Sequence, residues 1–425
     1  MPELQRVAII GGTRIPFCRS NTAYADLSNL DMLADTLQNL VDRYGLVGKK
    51  IDEVIAGAVT THSRDWNLAR EAVLSTTLSP STPGTTLQMA CGTSLQAAML
   101  CAGRIASGQI DCAIAAGSDT TSDAPLVLQR RFSQRLVKLS QARDLMGKFR
   151  SFKGFRPGEL SPQAPANGEP RTRLSMGEHC ELMAREWGIS RAEQDQLALE
   201  SHLKAAKAYN EGFFEDLVNP YHGVARDNNL RADSNLEKLA SLKKAFDHSA
   251  NGTLTAGNST PLTDGAAAVL LTSEEYAKDN NLPVQAWLTQ ARTSAVDFVS
   301  GDGLLMAPTI AVSELLKATG LHLQDFDFYE IHEAFAAQVL CTLKAWESEA
   351  YCRDTLGLGA ALGTIDRSRM NVMGSSLALG HPFAATGARI IATLASLLDS
   401  RGSGRGLISI CTAGGMGVAA ILEKT

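Results

Sequence analysis

Ala90-Cys91-Gly92-Thr93-Ser94 joins two stretches of different periodicity. Strand-forming residues lead into it from Thr85 to Met89. After it, small and apolar residues recur every three or four positions, which predicts a buried helix: Leu95, Ala98, Met99, Ala102, Ile105 and Ala106. The pattern therefore places Cys91 where a strand turns into a helix, and the positive end of a helix favours a thiolate. The alternative is an ordinary buried cysteine.

Composition limits the class of protein. The chain has 425 residues, 44% of them apolar and 20% charged, which is typical of a globular protein with two to three domains or one layered unit. A net charge of −5 argues against nucleic-acid binding. The eight cysteines form no C-x-x-C pair, so we expect neither a metal site nor disulfides. With no secretion signal and no membrane-length apolar segment, we expect a cytoplasmic protein.

Strands and helices alternate along most of the chain, which predicts an α/β fold. Helix-like periodicity covers 27–47, and strand-like runs cover 51–59 and 112–116. Residues 122–250 break this rhythm, although 175–212 predicts a pair of helices. We therefore predict one half-domain from 1–121 plus 251–283, an inserted loop domain at 122–250, and a second half-domain at 284–425.

The segment 130–156 is strongly basic, with six Arg and three Lys against one Asp. Apolar residues are interleaved with these charges. Three interpretations stay open. The segment is a helix with a solvated charged face and its apolar side on the core, a site for a polyanionic ligand, or a surface that contacts an anionic membrane or a partner.

Two helices of the sequence resemble each other weakly. Ala97-Ala98 followed by Gly103-Arg104-Ile105 is matched by Ala384-Ala385 followed by Gly387-Ala388-Arg389-Ile390. Each predicted helix has a reactive residue at its start, Cys91 in one and His381 in the other. Two facing copies of a half-fold would bring these helix starts together.

Three more residues are candidate catalytic groups, because their side chains are reactive and each lies at the predicted end of a strand or start of a helix. His381 precedes Pro382, a favoured first residue of a helix, and a neutral imidazole there could take a proton from a thiol. Cys411 ends a predicted strand before Thr412-Ala413-Gly414-Gly415, a turn that would expose the thiol and offer N–H groups to an oxyanion. His332 lies at a strand-to-helix junction. Taken alone, His381 is equally compatible with a capping or packed histidine, and Cys411 is better explained as a buried strand cysteine.

Taken together, five separated motifs resemble the thiolase family from end to end. They are Cys91-Gly92-Thr93-Ser94, Gly257-Asn258-Ser259-Thr260 with Asp264-Gly265-Ala266, His332-Glu333-Ala334-Phe335-Ala336, Asn371-Val372 with Gly380-His381-Pro382 and Ala385-Thr386-Gly387, and Cys411-Thr412-Ala413-Gly414-Gly415. The likeness is greatest to the degradative 3-ketoacyl-CoA thiolases, including the thiolase subunit of the fatty-acid oxidation trifunctional complex.

The resemblance implies a five-layered αβαβα fold of two similar halves with an inserted loop domain that helps to hold coenzyme A. It implies that Cys91 is the acylated nucleophile, His381 its base, Cys411 the acid for the enolate, and His332 a donor to the thioester oxygen. Met176, Ser259, Thr260 and Ala413 would contact substrate or CoA. Coenzyme A would be a substrate, and no permanent cofactor is implied.

The same resemblance implies partners and leaves alternatives. A homodimer or tetramer is usual in the family, and a hydratase–dehydrogenase subunit is a further partner to expect. A ketoacyl-synthase-type condensing enzyme and a non-catalytic acyl or sterol carrier are the alternative functions. His332 in place of Asn, and Ser175 in place of His, argue against a dedicated acetoacetyl-CoA enzyme.

Overall fold

The computed structural model describes residues 4–425, and this range contains ten strands and fourteen helices. The strands are β1 (Val7–Arg14), β2 (Cys18–Arg19), β3 (Glu53–Gly57), β4 (Gly84–Thr86), β5 (Cys112–Asp119), β6 (Thr263–Ser273), β7 (Ala286–Ala295), β8 (Phe328–Ile331), β9 (Gly404–Thr412) and β10 (Met416–Lys424). The helices are α1 (Asn29–Arg43), α2 (Leu68–Leu74), α3 (Thr93–Ala106), α4 (Arg130–Gln141), α5 (Leu145–Ser151), α6 (Met176–Glu186), α7 (Arg191–Asn210), α8 (Leu236–Ala240), α9 (Glu274–Asp279), α10 (Ala307–Thr319), α11 (Ala336–Glu347), α12 (Glu349–Asp354), α13 (Ser376–Leu379) and α14 (Thr386–Arg401).

Two half-sheets repeat one strand order. The first runs β4-β3-β5-β6-β1 and the second runs β8-β9-β10-β7. The first half-sheet begins with two parallel pairs (β4–β3 and β3–β5) and the second with one (β8–β9). Two antiparallel pairs follow in each half. The halves meet edge to edge, where Ala8 and Ile9 of β1 pair with Trp287 and Ala286 of β7. The internal repeat seen weakly in the sequence is therefore a repeat of topology.

Helices α3 and α14 form a layer between the half-sheets. Leu95 of α3 and Ile391 of α14 belong to one buried cluster with residues of β5 and β9. Alternate residues of the same strands point outward, to α1 and α2 on one side and to α10 and α11 on the other. Where both faces of the half-sheets are covered, the strands are almost wholly apolar or small. β7 is the exception, because residues 289–295 are largely exposed and include Gln290 and Arg292. The predicted five-layered αβαβα fold is confirmed.

The segment 122–250 carries α4–α8 and adds none of the ten strands. Its helices α6 and α7 lie where the sequence predicts a helical pair, and α7 packs on α11 and α13. β6, from the segment 251–283, lies between β5 and β1 of the first half-sheet. The three domain boundaries themselves stay a prediction.

Helix α4 corrects one interpretation of the basic segment. None of its residues is buried, so its apolar side does not pack on the core. Phe132 instead contacts Phe155, with ring centroids 6.1 Å apart, and Phe155 contacts Phe152.

Among the helices of residues 4–425, none combines the length and apolar character that a bilayer span requires.

Candidate active site

Cys91 lies in a single 3-10 turn, Ala90–Gly92, directly before α3. The preceding strand β4 ends at Thr86, so the chain reaches Cys91 through a short loop and not directly from a strand. Ala90 has φ of 44°, a conformation that costs energy for any residue but glycine. Gly92 is required by close packing, because a Cβ there would be 2.9 Å from methyl carbons of Thr412 and Val418. The turn is therefore pressed against β9 and β10 of the other half.

His381 is held at the same point by contacts from the first half of the chain. Its backbone N–H donates to Thr263 Oγ1 at 2.9 Å, and the nearby Ala384 N–H donates to Asp119 Oδ2 at 2.9 Å. Its Nε2 lies 3.0 Å from Cys91 Sγ. The prediction that His381 opens a helix is wrong: Phe383–Ala385 form a 3-10 turn, and α14 begins at Thr386.

Cys91 and His381 are both neutral at rest, although the start of a helix favours a thiolate. Burial raises the pKa of the Cys91 thiol to about 12, and the N–H groups of Ala413 and Cys91 lower it by less. Burial, with a smaller effect of the cationic Arg389, lowers the pKa of His381 to about 3. At neutral pH the structure thus pairs a neutral thiol with a neutral imidazole, because desolvation of a buried charge outweighs the helix dipole here.

His332 follows β8 and packs against His381, with ring centroids 4.2 Å apart. Its Nδ1 lies 2.9 Å from Ser376 Oγ, while its buried Nε2 has no hydrogen-bond partner among the described residues. Burial lowers its pKa well below the usual range. One donor or acceptor position is therefore left open for a bound molecule.

Cys411 lies in β9, one residue before the strand ends, and pairs with Gly417 of β10. It is 1% exposed, so the expectation of an exposed thiol is wrong. Burial raises its pKa well above the usual range, and the neighbouring Cys91 adds to this rise. The thiol consequently keeps its proton at neutral pH.

The turn after Cys411 is clamped by the inserted segment. Ala413 begins the turn, and the N–H of Gly414 donates to Glu169 Oε1 at 2.8 Å. Gly415 has φ of 70° and packs so close to Phe298 that a Cβ would be 2.6 Å from its ring. The Ala413 N–H in this turn lowers the pKa of the Cys91 thiol, against the larger effect of burial.

The residues predicted to bind coenzyme A lie near the His332 loop. Thr260 donates to the Ala334 carbonyl through its N–H at 3.0 Å and through its hydroxyl at 3.1 Å. Ser259 pairs with Phe335, and its buried hydroxyl has no partner among the described residues. Met176 is the first residue of α6 and packs at the edge of the same apolar cluster as Phe335.

Sequence reasoning missed three polar residues that contact the imidazoles or their partners. Thr386 Oγ1 lies 2.6 Å from His381 Nδ1. Ser376 contacts His332, and Arg389 donates to Ser376 Oγ through Nη2 at 2.6 Å. All three are buried, and a polar residue inside an otherwise apolar helix pattern is the signal that could have marked them.

Cys91, His332 and His381 place one ligand atom each within 4.8 Å of one another, a spacing that a metal ion could bridge. The cationic Arg389, however, lowers the pKa of both imidazoles and would equally oppose a bound cation. We keep the absence of a metal as a prediction.

The layered fold has a cysteine–histidine pair at its centre, in which His381 is buried and Cys91 is half-buried. These two features define a class: α/β enzymes built from two facing half-folds. The family model for the thiolase N-terminal domain matches residues 7–275, and that for the thiolase C-terminal domain matches residues 283–424. The chain belongs to the thiolase family.

Relatives agree with this assignment over the full length. A protein named 3-ketoacyl-CoA thiolase from Yersinia pestis (strain Pestoides F) is 42% identical over 424 residues, covering 98% of this chain and 97% of its own. The same values hold for a protein of that name from Yersinia pseudotuberculosis serotype O:3 (strain YPIII). The crystal structure of the Bacillus anthracis acetyl-CoA acetyltransferase superposes with a TM-score of 0.83 at 30% identity and covers 100% of both chains. These findings support an enzyme of the thiolase type and neither alternative function.

Proposed function

We propose that the protein is a 3-ketoacyl-CoA thiolase, which transfers an acyl group to coenzyme A with cleavage of a carbon–carbon bond, or runs the reverse condensation. The observation that carries the proposal is the 3.0 Å contact between Cys91 Sγ and His381 Nε2, with the open Nε2 of His332 beside it. The names of the full-length relatives support the substrate class.

In the first half-reaction, the Cys91 thiol gives its proton to His381 Nε2 as Sγ attacks the keto carbon, C3, of the substrate. The N–H groups of Cys91 and Ala413 hold the oxygen of the resulting tetrahedral adduct. The C2–C3 bond then breaks, and its electron pair passes to C2 and the thioester oxygen. His332 and His381 donate to that oxygen, and the Cys411 thiol protonates C2 to release acetyl-CoA.

In the second half-reaction, the thiol of a fresh CoA gives its proton to the Cys411 thiolate and attacks the acyl carbon. Cys91 leaves as a thiolate and recovers its proton from His381. Two steps with a covalent intermediate replace one difficult displacement. The neutral resting state of both thiols fits this cycle, because each must give up a proton only when substrate is bound.

Substrate binding falls to residues around the His332 loop and the inserted segment. We assign contacts with the coenzyme A moiety to Met176, Ser259 and Thr260, and the open hydroxyl of Ser259 supports this assignment. The Glu169 contact with Gly414 supports a role of 122–250 in covering the site.

The cellular setting is part of the same proposal. All eight cysteines, which lie in the described part of the chain, are free, and this supports the reducing cytoplasm. We assign the enzyme to fatty-acid β-oxidation as a homodimer or tetramer, with a hydratase–dehydrogenase subunit as its functional partner.

Mass spectrometry of the intact chain after exposure to acetyl-CoA or a 3-ketoacyl-CoA tests the mechanism. We expect a mass increase of one acyl group, located on Cys91, and no increase in the C91S variant. An unmodified Cys91 together with no cleavage of 3-ketoacyl-CoAs from short to long would remove the proposal. C101S, the same change at a buried cysteine of α3, is the matched control and should still be acylated.

A second proposal concerns the basic segment: we infer that 130–156 contacts an anionic membrane surface. Phe149 is 77% exposed and Leu145 is 74% exposed, although both are large and apolar. Arg130, Arg131 and Arg156 line a cavity of about 350 Å³ close to these residues in the chain. Lys148 and Arg150 flank Phe149 in the sequence. A segment that combines exposed apolar side chains with cations favours contact with an anionic bilayer.

Co-sedimentation with anionic and neutral vesicles tests this second proposal. We expect binding to anionic vesicles that falls with salt and is lost in R130Q/R131Q. Arg135 is not a suitable target, because it pairs with Glu159 at 2.6 Å within the segment. Absence of binding to anionic vesicles at low salt would reject the membrane and leave a partner subunit as the ligand to test.

A further inference from the structure

A chain of buried polar groups runs from α14 to His332. Arg389 is 1% exposed and donates to two neighbouring hydroxyls, to Ser376 Oγ at 2.6 Å and to Ser375 Oγ at 3.2 Å. Its nearest acid is Glu330, with Nη1 and Oε2 3.8 Å apart. Because a guanidinium is only ever a donor, Ser376 Oγ must accept this hydrogen bond.

The proton of Ser376 can then be located. A hydroxyl has one proton to donate, and the other partner of Ser376 Oγ among the described residues is His332 Nδ1, at 2.9 Å. When Ser376 donates to Nδ1, that nitrogen carries the lone pair and the imidazole proton lies on Nε2. The open position of His332 is thereby an N–H donor.

His381 has the opposite arrangement. Its Nε2 faces the Cys91 thiol at 3.0 Å, and a protonated thiol needs an acceptor there. Its Nδ1 faces Thr386 Oγ1 at 2.6 Å, a hydroxyl for which the structure gives no arginine donor. Thr386 Oγ1 can donate or accept, so the Cys91 thiol decides the tautomer of His381. When Nε2 accepts from the thiol, the imidazole proton lies on Nδ1, and Thr386 accepts it.

We propose that Arg389 and Ser376 are positioning residues that hold His332 as the Nε2–H tautomer, and so divide two adjacent imidazoles into one hydrogen-bond donor and one base. This inference rests on the proposed function, in which His332 donates to the thioester oxygen. With the proton on Nδ1 instead, the Nε2 lone pair would face the developing negative charge and would compete with His381 for the Cys91 proton.

Nitrogen NMR of the full chain labelled with ¹⁵N-histidine reads the tautomer directly, without substrate. The H332N variant identifies the His332 signals by their loss. We expect a protonated Nε2 and an unprotonated, hydrogen-bonded Nδ1 in the wild type. In S376A we expect the Nδ1-protonated form to become populated, whereas S376T, which keeps a hydroxyl, should restore the wild-type pattern.

S375A is the matched control, because Ser375 also accepts from Arg389 but does not contact His332 in the hydrogen-bond network. It should leave the His332 tautomer unchanged. Protonation of His332 on Nδ1 in the wild type, or a tautomer that S376A does not alter, would overturn the inference.

Kinetics of the same variants separate positioning from general damage. Loss of one oxyanion donor costs about 10²–10³ in kcat, so loss of the tautomer bias in S376A should lower kcat for cleavage by about tenfold to a hundredfold. KM and the exchange of acetyl groups between acetyl-CoA and CoA should change by less than about threefold, because neither needs the enolate. Equal losses in cleavage and exchange would contradict the positioning role. A wild type with the expected tautomer but no cleavage of any 3-ketoacyl-CoA would overturn the proposed function and not the tautomer assignment.

Discussion

At the scale of single residues, desolvation decides the chemistry more than any nearby charge does. Cys91 and His381 touch, yet burial keeps the thiol protonated and the imidazole neutral. Cys411, 1% exposed in β9, is likewise held as a thiol. All three groups therefore rest in their neutral forms at neutral pH.

The two cysteines should therefore differ in which step they serve. We predict that C411S lowers the rate of 3-ketoacyl-CoA cleavage by about 10²–10⁴, the range of a lost general acid. Exchange of acetyl groups between acetyl-CoA and CoA uses Cys411 only for proton transfer at the CoA sulfur and never at carbon. Because a thiol is acidic enough to exchange its proton with other groups, exchange should fall less than cleavage. Isotope exchange and a cleavage assay on the same preparation check this, and a parallel loss of both rates would contradict it.

At the scale of elements, the site depends on close contact between α3 and α14. Gly387 of α14 lies against the backbone of Leu95, and a Cβ at Gly387 would also be 2.9 Å from Leu95 Cβ and Ser94 Oγ. The Ala388 N–H donates to Ser94 Oγ at 2.8 Å across this contact. Helix α3 directly follows the turn that carries Cys91, and α14 begins five residues after His381. The spacing of the two helices therefore helps to set the distance between thiol and imidazole.

We predict that G387A separates the two helices. Overpacking of this kind costs about 1–3 kcal/mol in the free energy of unfolding, and activity should fall further than stability because the Cys91–His381 contact opens. Denaturant unfolding and cleavage kinetics measure both effects. G103A, on the exposed side of α3 with open space around it, is the control and should be neutral or slightly stabilising. Equal behaviour of the two variants would contradict the role of this contact.

At the scale of the whole molecule, buried neutral histidines link stability to pH. Burial and Arg231 lower the pKa of His202 to about 4, and His381 is lowered to about 3. The unfolded chain binds these protons at about pH 6.5, whereas the folded chain does not. Stability from these groups is therefore present above pH 6.5 and is lost as the pH falls toward their folded pKa values.

We predict that this loss can be assigned to individual residues. His202 lies in α7, outside the proposed catalytic groups. Any loss of stability that H202N causes relative to wild type should therefore be smaller at acidic pH than at neutral pH. The free energy of unfolding of H202N should improve relative to wild type by about 1–2 kcal/mol between pH 7 and pH 5. H248N, at an exposed histidine, is the control. An unchanged difference between wild type and H202N across this range would show that His202 does not contribute.

The sequence by itself determined the fold class and the family, and it indicated the candidate reactive residues. Periodicity placed most of the long helices, and five motifs in order indicated Cys91, His332, His381 and Cys411, because covalent chemistry requires particular residue types in particular local patterns. Local patterns were wrong in two places. They predicted that a helix begins at His381, whereas α14 begins at Thr386. They also predicted an exposed thiol at Cys411, which is buried.

Only the tertiary structure decided how these residues are poised. The neutral thiol of Cys91, the clamp of Glu169 on the Ala413 turn, and the path from Arg389 through Ser376 to His332 all join segments far apart in the chain. Desolvation and hydrogen-bond direction depend on every atom packed around a group. A linear pattern contains neither quantity until the two half-folds face each other.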